Sequence, residues 1–397
     1  MTFEQMRAVS LGLRPLSRLD SPREVVRQFT PNWFAVTMGT GVLSIALAQV
    51  GRSVPVLHGL AEGLWLFNTG LFVLFTGLYA GRWIFFFDGA RRIFGHSVVS
   101  MFFGCIPMGL ATIINGFLIF GLPRFGSAAV EIAHALWWLD AAMATLCGIA
   151  IPYMMFTRQS HSVDQMTGVW LLPMVAAEVV AVSGALLAPH LTDPQSQFTI
   201  LTVSYILWAL SVPLAMSVLV VLVLRLAVHK LPHASMAASS WLALGPIGTG
   251  ALGLMTLGAA SPAILAANGL ERFAGTVEGL GFVGGLLLWG YGLWWLAIAT
   301  LVTLRYLREG LPFNLGWWGY TFPIGVYALA TLKLGTILPV PAIHVFGVAL
   351  VVLLAAVWTI VAARTLRGAW LGELFAAPCL KAEHGSPQGD TIRTAAF

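Results

Sequence analysis

The chain has 397 residues, 58% of them hydrophobic and only 9% charged, with a formal net charge of +5; its mean hydropathy is +0.86. Soluble domains carry about a quarter charged residues, so this composition excludes a water-facing globular surface. The chain reads as a polytopic, all-α membrane protein.

Residues 1–30 form a polar, arginine-rich tail. No signal peptide is expected, because the first long apolar run already has full membrane length. Within the tail, Ser21-Pro22-Arg23-Glu24 reads as an N-cap, a first-turn proline and a capping-box glutamate. It would start a short helix with Val25, Val26 and Phe29 on one side, lying at the inner interface. Ten apolar runs follow at about 31–51, 60–82, 98–122, 132–156, 168–188, 198–224, 240–260, 278–304, 315–337 and 342–363, each able to cross ~30 Å of hydrocarbon. Short connections make them five consecutive helical hairpins, a pore domain over 31–365. The tail is 366–397, and its polar end from 381 is expected to be disordered.

An even number of spans puts both termini on one face. That face collects seventeen lysines and arginines against three on the other (Arg52, Arg124 and Arg272). The positive-inside rule makes it the cytoplasmic one. Cys105, Cys147 and Cys379 form no paired framework, and two of them lie inside spans as small hydrophobes. No metal or cofactor motif and no nucleic-acid signature is present.

One frame recurs in every odd span: "VTMGTGV", "IPMGLAT", "LPMVAAE", "GPIGTGA" and "FPIGVYA". Its anchors are Thr37, Pro107, Pro173, Pro246 and Pro323, spaced 70, 66, 73 and 77 residues apart. Two residues on stand Gly39, Gly109, Val175, Gly248 and Gly325. Proline bends a helix and glycine lets backbones approach. Five bent odd helices would form an inner ring in quasi-fivefold arrangement around a central pore, with these prolines and glycines shaping and lining it. Just before the anchors stand Val36, Ile106, Leu172, Gly245 and Phe322. A single phenyl ring in that layer has the size to plug the axis; the competing reading is packing between helices.

Five segments carry a resemblance: "FTPNWFAVTMGTGVLS", "HSVVSMFFGCIPMGLATI", "MTGVWLLPMVAAEVVAVSG", "LALGPIGTGALGLMTLG" and "FNLGWWGYTFPIGVYALATLKLG". In this order they resemble the tellurite-resistance/dicarboxylate transporter family, which includes fungal sulfite exporters, malate permeases and plant slow anion channels. The resemblance spans roughly residues 28–365. It implies five hairpins around a pore, a homotrimer with one pore per subunit, and a gating phenylalanine in the T-F-P motif, here Phe322. "FTPNWFAVTMGTG" and "LGPIGTG" look most like the sulfite-exporter branch. Thr249 stands where that branch often has glutamine, and Ser97 where it has proline after the histidine.

An ionisable residue in a span is a functional candidate by default. Lys333 would attract anions at the outer mouth, although a snorkelling lysine is the preferred reading. Glu178, and Asp140 beyond Trp137-Trp138, are read first as protonated helix contacts, with proton coupling the alternative for Glu178; both are expected off the conduction path or protonated. His134 and His344 read as helix–helix hydrogen-bond partners. His96 has no derivable role.

No nucleophile–base pair, H-E-x-x-H, Walker A or G-x-S-x-G occurs, so an enzyme is not expected. The expected function is small-anion transport in the plasma (inner) membrane: sulfite or bisulfite first, C4-dicarboxylates such as malate second, simple inorganic anions third. A structural or sensory protein would leave the repeated frame unexplained.

Overall fold

The computed structural model describes residues 14–51 and 54–383. Arg7, Arg52 and Arg393 of the basic tally, and the polar end from residue 384, lie outside the described residues. Within them the chain is helical and no strand occurs. Ten main helices follow in order: α1 Phe34–Val50, α2 Pro55–Phe85, α3 Cys105–Gly116, α4 Ser127–Thr157 and α5 Leu172–Leu187. Then come α6 Pro194–His229, α7 Leu244–Ala267, α8 Ala274–Glu309, α9 Thr321–Ile337 and α10 Pro341–Leu371. By length and hydropathy, nine stretches among the described residues can cross a bilayer, one fewer than the ten read from sequence. The exception is the stretch containing α9, whose apolar run is interrupted by Thr321, Tyr327, Thr331 and Lys333.

The odd and even helices are built differently. Stretches containing α1, α3, α5 and α7 are 50 to 94% buried, whereas those containing the five even helices are 22 to 39% buried. Contacts among the odd helices run in a cycle: α1 on α3, α3 on α5, α5 on α7, α7 on α9, and α9 back on α1. Each even helix packs beside the odd helix that precedes it. Leucine, valine and phenylalanine project from the even helices, as Leu287 and Val220 do.

The anchor prolines do not bend these helices. Pro107, Pro173, Pro246 and Pro323 each lie in the first turn of α3, α5, α7 and α9. Tight helical turns precede three of them, at Val99–Gly104, Gly168–Leu171 and Leu315–Tyr320. Before α7 stands the short helix Ser239–Leu242. In the first turn a missing N–H leaves no bond unmade, and the fixed φ suits the helix start. The recurring frame therefore marks where each inner α-helix begins after an entry turn.

A second repeat was not read from the sequence. Each even helix donates a tryptophan N–H to the odd helix that follows it around the ring. Trp65 bonds Ile113 O at 3.2 Å, Trp137 bonds Val180 O at 3.0 Å and Trp208 bonds Gly250 O at 3.1 Å. Trp289 bonds Thr331 Oγ1 at 2.9 Å, and Trp358 on α10 closes the circle onto Thr40 Oγ1 of α1 at 3.0 Å. These tryptophans lie 72, 71, 81 and 69 residues apart. A buried indole N–H usually finds an acceptor, and each of these bonds ties one hairpin to the next.

The two terminal segments meet on one end of the bundle, here called the tail face. Leu16 N donates to Trp370 O at 2.7 Å, Ala377 N donates to Gln28 Oε1 at 3.2 Å, and Trp33 stacks on Phe375 at 4.8 Å. The fully buried Arg82 donates to Phe29 O at 2.6 Å and Gly89 O at 3.3 Å. The short helix is Arg23–Arg27, but no capping box forms: Glu24 instead accepts from Arg27 at 3.3 Å and Gln28 at 2.8 Å. Phe29 is 1% exposed and packs on Trp33 and Phe75, so it belongs to the core and not to a lipid interface.

Candidate functional site

Each inner helix turns one stripe of side chains toward a shared cavity of about 250 Å³ on the face opposite the tails. From α1 come Val42, Ile45 and Gln49, from α3 Thr112 and Asn115 with Leu118 and Ile119 in the turn after it, and from α5 and the turn after it Val179, Val182, Leu186 and His190. Helix α7 gives Thr249, Leu252 and Thr256, and α9 gives Phe322, Val326, Leu329 and Lys333. Spacings of three and four residues place each set on one helical face. No acidic side chain lines this cavity.

Phe322 is the member of the α9 stripe nearest the tail face, and it is 3% exposed. A second cavity of about 50 Å³ lies on its other side, lined by Asn32, Ala35, Met38, Cys105, Leu172, Leu242, Asn314, Gly319 and their neighbours, again without an acidic residue. The two cavities share no lining residue. Between them lies a layer that runs from Met38 to Val42 on α1, from Leu172 to Val179 on α5 and from Gly319 to Phe322 at α9. Phe322 is thus the floor of the larger cavity.

The four glycines two residues past the anchors face neighbouring helices. A methyl at Gly109 would meet Thr37 Oγ1 at 2.6 Å, one at Gly325 would meet Val42 at 2.6 Å, and one at Gly248 would meet the Tyr327 backbone at 2.9 Å. Gly39 abuts Thr321 and Trp318 of the α9 region. None of the four lines either cavity. Their role in the structure is close approach of inner helices, which sets the width of the ring.

Lys333 ends the α9 stripe, half-buried at the mouth with His190 and Gln49. Glu178 and Asp140 are both fully buried, neither lines a cavity, and their carboxyl oxygens have no hydrogen bond. The polar neighbour of Glu178 is Ser211, whose own hydroxyl donates to Met174 O at 2.7 Å. Glu178 directly precedes the lining residue Val179. His134 accepts from Trp138 of its own helix at 3.1 Å, so it is not a helix–helix partner. His344 is exposed in the first turn of α10.

His96 acquires a role. Its Nδ1 accepts the backbone N–H of Val98 at 3.2 Å and of Val99 at 3.3 Å, capping the entry turn to α3. Burial holds its imidazole below the ordinary histidine range. The sequence reading assigned no lining role to the polar residues Gln49, Thr112, Asn115, His190, Thr249 and Thr256. The signal was there as stripes, Thr112/Asn115 and Thr249/Leu252/Thr256, running from each anchor at helical spacing. Among the described residues no cluster of side chains fits a metal ion.

Comparison with known proteins completes the site. The model of the family described as SLAC1, voltage-dependent anion channel, matches residues 28–366. A sulfite efflux pump of Arthroderma benhamiae is 35% identical over 352 residues, covering 88% of this chain and 93% of its own length. An uncharacterized transporter of Methanocaldococcus jannaschii is 30% identical over 91% of this chain and 99% of its own. The malic acid transport protein of Schizosaccharomyces pombe is 22% identical over 84% of this chain and 76% of its own. The chain belongs to this family, the one its motifs resemble, and is a multi-pass membrane anion transporter, not an enzyme.

Proposed function

We propose that this protein exports sulfite or bisulfite across the plasma membrane through a pore on the axis of the inner ring. In this reading the five hairpins stand in quasi-fivefold arrangement, α9 completes ten spans, and Phe322 is the gate. Both termini are cytoplasmic, as the basic asymmetry implies, and the unit is a homotrimer, as the resemblance implies. The observation that carries the reading is the position of Phe322. It closes the tail-side end of a cavity that all five inner helices line and that holds no carboxylate. A phenyl ring there acts as a steric and dewetting barrier. Lys333 raises the anion concentration at the far mouth, while the middle of the path offers only neutral groups and so does not trap its cargo. Sulfite is the preferred substrate because sulfite efflux pumps are among the 35%-identical relatives.

The test is parallel flux of sulfite, malate, nitrate and chloride in proteoliposomes. Sulfite should pass fastest. Flux no greater than in empty vesicles for every anion would overturn the reading. Orientation is checked separately by impermeant thiol labelling, which has little background because Cys105, Cys147 and Cys379 are buried. A cysteine at position 193 should label from outside and one at position 91 should not; the opposite pattern rejects the orientation.

A second reading, proton-coupled transport of malate or another C4-dicarboxylate, draws on Glu178. Its two unpartnered oxygens lie one residue from the cavity wall. Glu178→Gln keeps size and hydrogen-bonding capacity but cannot carry a proton. Under the sulfite-pore reading, flux in this variant matches wild type with and without a pH gradient. Loss of gradient-driven flux alone would favour the second reading.

A further inference from the structure

We propose that the tail face carries an anion-loading chamber that feeds the pore, walled by the end of α10 and the segment after it. A cavity of about 650 Å³ opens there, and Arg364 and Arg367 both line it. They lie three residues apart on α10, so they share a face. The volume is far larger than a small oxyanion, so the chamber gathers hydrated anions and does not fit one tightly.

Three observations point to loading rather than to ordinary surface charge. First, the guanidiniums are uncompensated: among the described residues neither arginine forms an ion pair. The carboxylate that lines the chamber, Glu373, is paired with Arg18 at 3.6 Å. Second, the Arg364 head is held in place without losing its charge. It lies 5.1 Å from the Trp317 ring centre and 5.8 Å from that of Phe313, and stacking on π-faces fixes a cation without neutralising it. Third, the chamber adjoins the path. Asn32 and Asn314 line both this chamber and the 50 Å³ cavity beneath Phe322. Asn314 is rigid there, donating to Ser235 O at 3.0 Å and accepting from Gly316 N at 2.8 Å.

A concave site of one charge sign with low-dielectric walls raises the local concentration of its counter-ion. The ligand class is the small anion, sulfite or another oxyanion of that size. The inference rests on the reading that anions cross the ring from the tail face. It adds that uptake at low concentration is limited by capture in the chamber, upstream of Phe322.

The experiment uses the full chain in vesicles whose sulfite compartment faces the tails. Initial flux is measured against sulfite concentration at low and at high ionic strength. Arg364→Gln/Arg367→Gln should raise KM by roughly threefold or more at low ionic strength, with little change in the plateau. The difference from wild type should vanish at high salt, where screening shortens the reach of the charges. Arg364→Lys/Arg367→Lys should keep KM near wild type. Glu373→Gln should lower KM, which gives a second reading if the double variant fails to reach the membrane. Wild-type KM in the double glutamine variant, or an unchanged KM in Glu373→Gln, would overturn the chamber while leaving the pore reading intact. Wild-type vesicles silent to every anion would instead overturn the pore reading, and the chamber with it.

Discussion

Inner and outer helices of the same hairpin obey different rules. The outer helices are long, leucine-rich and 22 to 39% buried; on their outward sides Gly59, Gly63, Gly70, Gly77 and Gly290 meet nothing within 4 Å, while Gly281, Gly292 and Gly347 face inner helices closely. The inner helices start from entry turns, carry the anchor prolines and press Gly39, Gly109, Gly248 and Gly325 against neighbouring helices. A glycine therefore means nothing by itself in this molecule. On the outward side of an outer helix it is a small residue in an apolar face; where helices meet, at Gly248 on α7 or at Gly281 and Gly292 on α8, it is the distance between two helices. The cavity inherits its width from those contacts, while its chemistry comes from other positions on the same helices.

The largest expected effect comes from exchanging those rules. Gly248→Ala drives a methyl to 2.9 Å from the Tyr327 backbone, which cannot rotate away. Overpacking of this kind costs about 1–3 kcal/mol, and thermal unfolding of the purified protein should show it. Gly290→Ala on α8 should stay within about 0.5 kcal/mol of wild type. Equal effects at the two sites would dissolve the distinction.

A smaller effect is expected at the joints between hairpins. Trp358→Phe removes the α10–α1 bond to Thr40 but keeps most of the ring volume. A loss of about 1 kcal/mol should follow. Trp294, half exposed on α8 with no hydrogen bond among the described residues, is the control. Trp294→Phe should leave the melting temperature unchanged, and a matching drop there would argue against the tryptophan ring as a fastener.

The smallest effect concerns pH. His96 must keep Nδ1 unprotonated to accept two backbone N–H groups, and burial depresses its folded pKa. Between the folded and the ordinary value of about 6.5, the unfolded chain binds more protons. The contribution is therefore fully present above the ordinary value and is lost as pH falls through it toward the folded one. Wild type should lose stability modestly from pH 8 to pH 5. His96→Asn, which retains a capping acceptor, should show a shallower slope; an equal slope would remove His96 from the account.

Much of the fold was legible because it follows from apolar length and repetition. The starts of the inner helices at Phe34, Cys105, Leu172, Leu244 and Thr321 lie within a few residues of the anchor frame. The meaning of the frame was not legible. A proline at a kink and a proline in a first turn look alike until the preceding residues are known to form an entry turn. Likewise Gly109 reads equally as pore wall or as helix contact. Only the position of Thr37 and Phe72 beside it decides. The tryptophan repeat was hidden for a related reason: Trp65 and Ile113 are 48 residues apart, and nothing local marks a carbonyl as an acceptor. Phe322 and Lys333 were singled out by size and charge. Asn115 and Thr256 became visible only once five stripes converged on one cavity.

The central claim is that anions cross the axis at Phe322. It is tested most directly by flux through Phe322→Ala, normalised to folded protein in the membrane. The ring floors a cavity lined from every inner helix, and the matching places on the other four carry Val36, Ile106, Leu172 and Gly245. Removing it opens the layer between the two cavities and lifts the dewetting barrier. Anion flux should rise at least severalfold, roughly a kcal/mol or more off the barrier. Flux equal to or below wild type from folded protein would contradict the gate and return Phe322 to the packing of the ring.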